Sequence, residues 1–236
     1  MTPGGAIDTG HSFTDSAGRD ADTHSPTLQA YHRRLWSKRL PDGSMFDLHP
    51  LTKSGNYLLR HSSYLGDFIL ASDQLVNASE TLRRKFTRNI SPAADARFWR
   101  KGLTIGGRTI FPYNRVGGKM TINGARGFHH QIKDRFDLTL ESIRRHYARQ
   151  ESPLAPVLAR YASFFELFGD FRGYVDFFLL NDLVTDEGAV EFFLPFHDFE
   201  GPPMPETSAD YRLFLRRQIE FVVARNTRIA HAVRSL

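Results

Sequence analysis

From Phe136 onward the apolar residues recur at the spacing of an α-helix, and this constrains the fold more than any other feature of the chain. Phe136, Leu140, Ile143 and Tyr147 form a stripe at 4-3-4 spacing, which puts them on one helical face. "SPLAPVLARYASFFELFGD" repeats the pattern. There Ser152 is placed to cap, Pro153 to open the helix and Gly169 to end it, with Leu154, Leu158, Tyr161, Phe165 and Phe168 on one face. Residues 208–233 predict a long last helix with Tyr211, Leu215, Ile219 and Val222 facing inward. "YVDFFLLNDLV" (174–184) is apolar nearly all round and is expected to be buried, and "AVEFFLPF" (189–196) reads as a strand. Twelve aromatics between Tyr161 and Phe199 read as a Phe-rich core rather than a platform for bases. The expected core also takes in Phe177, Leu180 and Phe193.

The first half is more mixed. Residues 1–24 are small, polar and Asp-bearing, which predicts a mobile arm. Ser25 and Pro26 then give an N-cap and a first helical position. "PDG" at 41–43 is a turn, 56–70 reads as strand or short helix, and 78–86 as a short helix with Ser79 as a possible cap. In "LTIGGRTIFPYNRVGGKMTIN" (103–123) two Gly-Gly pairs sit between β-prone flanks, the pattern of two-residue hairpin turns. The stretch predicts two hairpins, a meander of about four short strands. The fold class is therefore α+β, a small antiparallel meander packed by helices, with a polar arm over 1–24 and one globular domain over 25–236.

With 236 residues and 41% hydrophobic content, the chain buries enough surface to fold without staples. It has no cysteine, which excludes disulfides, thiolate nucleophiles and cysteine-held zinc or iron–sulfur sites and fits a cytoplasmic setting. The first residues lack a basic region followed by an apolar run, and no apolar run approaches membrane-spanning length, so a soluble protein with no membrane partner is expected. The net charge of +5 permits nucleic acid, nucleotide or another anion as partner.

GxxxxGK[ST], GxSxG, HExxH and GxGxxG are all absent, and the sequence leaves the cofactor unknown. His129 and His130 are adjacent, and on an extended segment their side chains point to opposite faces, so no metal site is read there. "PFHDFE" gathers His197, Asp198 and Glu200, which reads as a solvated loop before it reads as a metal site. Arginine pairs recur at 33–34, 83–84, 144–145 and 216–217; whether they share a face is open. In 134–149 acidic residues lead and basic residues follow, as the helix dipole favours, and Glu141 can pair with Arg145. The cations ahead of that helix meet its positive end instead, which calls for an anion or a carboxylate partner.

The leading candidate is therefore a phosphate-bearing ligand, nucleic acid or nucleotide, on the basic loop before the 136–149 helix, with Lys119, Asn123, Arg126, Lys133 and Arg135 as the binding residues. One alternative is an enzyme of nucleotide-transfer or ADP-ribosyltransferase type, in which Arg60, followed by Ser62 and Ser63, acts with Glu191. Another is a structural or regulatory module with a protein partner.

"SPTLQAYHRRLWSKRLPDGSMFDL", "TIGGRTIFPYNRVGGKMTINGARGF", "IKDRFDLTLESIRRHY", "SPLAPVLARYASFFELFGDFRGYVDFFLLNDLV" and "RRQIEFVVARNTRI" together resemble a bacterial family known only as a domain of unknown function. The resemblance spans about residues 14 to 230. It implies one domain and an Asp-rich segment before the first helix, matched here by "DSAGRDADTHSPTL", which counts against a mobile arm from Asp15 onward, and it supplies no activity.

Overall fold

The computed structural model describes residues 7–13, 20–77, 80–86 and 91–234. Helix α1 (Ala21–His24) is followed by α2 (Pro26–Trp36), where the Ser25 hydroxyl accepts from the Leu28 N–H at 3.1 Å. Strands β1 (Lys38–Arg39) and β2 (Met45–Phe46) are joined by the PDG turn, with Gly43 at φ 85° and the Asp42 carboxylate accepting from the Ser44 N–H. The main sheet is an antiparallel meander of β3 (His49–Lys53), β4 (Asn56–Ser63), β5 (Gly66–Gln74) and β6 (Arg108–Pro112), in that order. Ser54 and Gly55, at φ 51° and 78°, make the two-residue link between β3 and β4 that primed turns require.

The predicted meander thus exists, but it is built from other residues. Of 103–123 only Arg108–Pro112 is strand. Gly106 and Gly107 are not turn glycines: a Cβ on Gly106 would lie 2.6 Å from the Val222 carbonyl oxygen, and one on Gly107 2.0 Å from that of Gly102. They permit close approach of backbones. Gly117 and Gly118 do take positive φ, but within a 3₁₀ turn that leads into α5 (Ile122–Phe128) instead of back along β6.

Between β5 and β6 lie α3 (Glu80–Phe86) and α4 (Pro92–Gly102). Ser79, the expected cap of α3, is outside the described residues. Helix α6 (Phe136–Tyr147) carries the predicted stripe, with Phe136, Leu140 and Ile143 buried and Tyr147 partly so. The helix expected over 152–168 is broken into α7 (Ala155–Leu158), a 3₁₀ turn and α8 (Ala162–Glu166). Pro153 and Pro156 withhold backbone donors there, and the Ser152 hydroxyl has no partner. Helix α9 (Phe171–Phe177) is capped by Asp170. The strand expected at 189–196 is a single bridge, Val184 to Val190, because the Phe193 N–H is drawn to the Asp137 carboxylate at 2.9 Å. Helix α10 (Ser208–Arg234) is the predicted last helix, with Tyr211, Leu215 and Val222 buried.

The arm expected at the N-terminus belongs in part to the packed body. The Phe13 N–H donates to the Leu103 carbonyl, its ring is buried against Tyr31, and Asp22 of α1 reaches Arg108 at 2.5 Å. The centre is the Phe-rich core the sequence predicts: Phe168 and Phe178 touch each other and both Tyr174 and Phe177, and the cluster meets Phe46 and Trp36.

Candidate functional site

Arg126, on the inner side of α5, is fully buried. Its guanidinium donates to the Asp73 carboxylate at 2.8 Å, to the carbonyls of Gln74 and Asp134, and to the Thr139 hydroxyl; the Asp134 carboxylate is 3.2 Å away. Burial pushes the Asp73 carboxyl up to about 7, against the pull of Arg126. Burial also opposes the charge on Arg126, yet Asp134 and Asp73 hold it above its ordinary value. Arg135 is buried as well, forked onto Asp137 and donating to the Pro203 carbonyl at 2.7 Å. Arg126 and Arg135, two of the cations ahead of α6, therefore meet carboxylates of their own chain. These two arginines hold the loop and do not face solvent.

The other three predicted binders are exposed. Lys119 follows the 116–118 turn, Asn123 lies on the outer side of α5, and Lys133 stands in the loop before α6. Lys133 and Asp134 both adopt left-handed backbone, at φ 48° and 62°, which is costly for non-glycine residues. Two side-chain bonds secure them: Asn77 donates to the Lys133 carbonyl at 2.8 Å, and the buried Arg126 to that of Asp134 at 3.2 Å. Arg126 is thus a positioning residue for Lys133.

The sequence carries a further signal here. Between Asp95 and Asp134 there is no carboxylate, while Arg97, Arg100, Lys101, Arg108, Arg115, Lys119, Arg126 and Lys133 contribute eight positive charges. Arg108 and Arg126 are neutralised from outside the stretch, by Asp22 and by Asp73 with Asp134. Among the described residues Arg115, Lys119 and Lys133 form no ion pair. Tyr113, Val116, Met120 and Phe128, four of the seven large hydrophobics exposed among the described residues, lie on the same segment.

A second polar chain is internal. The Trp36 indole N–H donates to His32 Nδ1 at 3.0 Å, so the imidazole proton sits on Nε2 and is given to the Ser72 hydroxyl at 2.9 Å. Ser72 in turn bonds Asp22. A histidine that donates to a serine does not activate it as a nucleophile. Burial, with Arg108 and Arg225 nearby, lowers the His32 pKa to about 3. Arg225 itself donates to the carbonyls of Gly106, Arg108, Phe178 and Leu179, and burial lowers it to about 9. Both groups fasten elements together.

Arg60 and Glu191 are held by different partners. Arg60 of β4 pairs with Asp67 of β5 at 2.7 Å, and Ser62 donates to the same carboxylate. Glu191 lies beyond the Val184–Val190 bridge, its N–H on the Leu183 carbonyl, and no hydrogen bond or ion pair of the described residues joins the two. His129 and His130 stack, with ring centroids 4.9 Å apart, where opposite faces were expected; His129 is the C-cap of α5, not part of an extended run. Asp198 pairs with Arg145, and among the described residues no three His, Cys, Asp or Glu side chains group as a metal site requires. Glu141 takes both Arg144 and the expected Arg145 at 2.8 Å. No helix among the described residues is long and apolar enough to cross a membrane. The depression beside Arg135, Phe196, His197 and Pro203 holds only about 10 Å³, room for roughly one water molecule and far below the roughly 300–1,000 Å³ of small-molecule pockets.

A family model matches residues 7–229, nearly the whole chain. The chain belongs to DUF6994, a family of unknown function. No curated protein and no solved structure matches it. The match takes in residues 7–13 and α1, in keeping with the packing of this DUF6994 protein's N-terminal segment through Phe13 and Asp22.

Proposed function

We propose that this protein binds a phosphate-bearing ligand, nucleic acid or nucleotide, on the face formed by residues 113–133. The observation that carries the reading is the missing acid. Residues 96–133 hold no carboxylate of their own, and Arg115, Lys119 and Lys133 stay exposed and without an ion pair among the described residues, as Asn123 stays exposed. Unopposed cations on a surface are the ordinary footprint of a polyanion site. Lys119, Asn123 and Lys133 contact the ligand in this reading, and Arg126 and Arg135 fix the loop from beneath.

The test is retention on heparin and on immobilised nucleic acid as salt is raised. Lys119→Glu with Lys133→Glu is expected to elute at clearly lower salt than wild type. Its logarithmic salt dependence should fall by about two phosphate contacts' worth, roughly 0.7–0.9 per contact. Arg216→Glu, the same kind of charge reversal on the exposed face of α10, serves as control and should remain close to wild type. If the double variant elutes with wild type, the face is not the site.

A further inference from the structure

We infer that the ligand of this face is single-stranded nucleic acid, with unpaired bases stacking on Phe128 and the His129–His130 pair while Arg115, Lys119 and Lys133 take the phosphates. This rests on the phosphate-binding reading and adds the class of ligand. Phe128 is 79% exposed at the end of α5 and has no ring partner among the described residues. A phenylalanine so placed adds nothing to the core. The next two residues are also rings, and they stack at 4.9 Å with 19° between their planes. Burial and the neighbouring His130 keep His129 below its ordinary pKa, so at pH 7 it offers a neutral π face. Three consecutive rings, Phe128 and His130 exposed and His129 half-buried, lie in sequence between Lys119 and Lys133 with no carboxylate in the run, and so supply the two parts of a single-strand site: stacking surface and backbone charge.

The alternatives use only half of this. A duplex hides its base faces and would engage the cations alone. An anionic lipid surface would also attract the cations, and would cover Val116, Met120 and Phe128. It would in addition have to desolvate the imidazoles and Asn123, which interrupt the apolar surface and carry polar groups. A Cβ on Gly124, one helical turn before Phe128, would meet the Met120 side chain at 2.6 Å, whereas Gly127 faces open space.

The experiment measures binding of the full chain by fluorescence anisotropy at fixed salt. Its probes are an oligothymidylate of about 12 nucleotides, within the usual span of such sites, the duplex of the same length, and vesicles of equal parts phosphatidylserine and phosphatidylcholine. The wild type is expected to prefer the single strand. Phe128→Ala is expected to lower single-strand affinity about tenfold and to bring the single-strand to duplex ratio toward one. Phe128→Tyr should restore it, and Tyr64→Ala, an equally exposed ring on the β4–β5 turn, should have no effect. Thermal midpoints confirm that each variant is folded. Equal single-strand affinity for Phe128→Ala and wild type overturns the inference. If Lys119→Glu with Lys133→Glu still loses binding, the phosphate reading survives without the stacking; if it does not, both fall. Binding to the vesicles with no binding to either oligonucleotide overturns the nucleic-acid assignment.

Discussion

Arg126 shows how far one residue's surroundings decide its meaning. In the sequence it is an arginine between two glycines in a loop-like run, the picture of an exposed ligand fork. In the fold it is a buried cation with carboxylates on two sides. Removing one partner of a buried pair leaves the other uncompensated, which typically costs about 3–5 kcal/mol. Arg126→Ala is therefore expected to destabilise by that order in urea unfolding. Lys133→Ala, fully on the surface, should stay within about 0.5 kcal/mol. A double-mutant cycle with Asp73→Asn should give a total well below the sum of the single effects, since the two share one interaction. Additive effects would show that the pair does not act as a unit.

At the scale of elements the glycine pairs carry the lesson. Gly106–Gly107 and Gly117–Gly118 look alike as strings, but different physics requires them. The first pair lets β6 begin against α10, where Gly106 meets Val222 and its N–H bonds Asn226 at 2.8 Å. The second pair supplies positive φ in open space. Asparagine tolerates left-handed backbone, so Gly117→Asn is expected to lower the thermal midpoint only slightly. Gly106→Asn or Gly106→Ala forces α10 outward, an overpacking cost of about 1–3 kcal/mol. Comparable midpoints for the Gly106 and Gly117 variants would contradict this division. The 3.6-residue stripes of α6 and α10 were legible because a periodic pattern is a local property. The break at 159–161 and the lost strand at 189–196 depend on proline positions and on Asp137, 56 residues away from Phe193.

For the whole molecule, the buried polar chain sets a pH response. His32 is neutral in the fold, with a pKa near 3, and titrates near its ordinary 6.5 when unfolded. Its contribution to stability is complete above about 6.5 and is lost as pH falls toward 3, because the unfolded chain then binds the extra proton. Imidazole resonances followed by NMR should show His32 as the Nε2–H tautomer down to about pH 4. His32→Gln should have a shallower acid limb in its stability–pH curve than wild type. A His32 that titrates near 6.5 in the folded protein would remove this account. The sequence by itself determined the α+β class, the helical second half, the Phe-rich core and the basic balance, because composition and periodicity belong to the string. It also held the acid-free run from 96 to 133, legible to anyone counting carboxylates. Only the tertiary structure decided which cations are neutralised. The partners of Arg108 and Arg126 come from α1, β5 and the loop before α6, so their charges vanish into the interior, while Arg115, Lys119 and Lys133 keep theirs at the surface. Charge is written in the sequence; whether it faces water or a carboxylate depends on contacts between residues far apart in the chain, which no local pattern encodes.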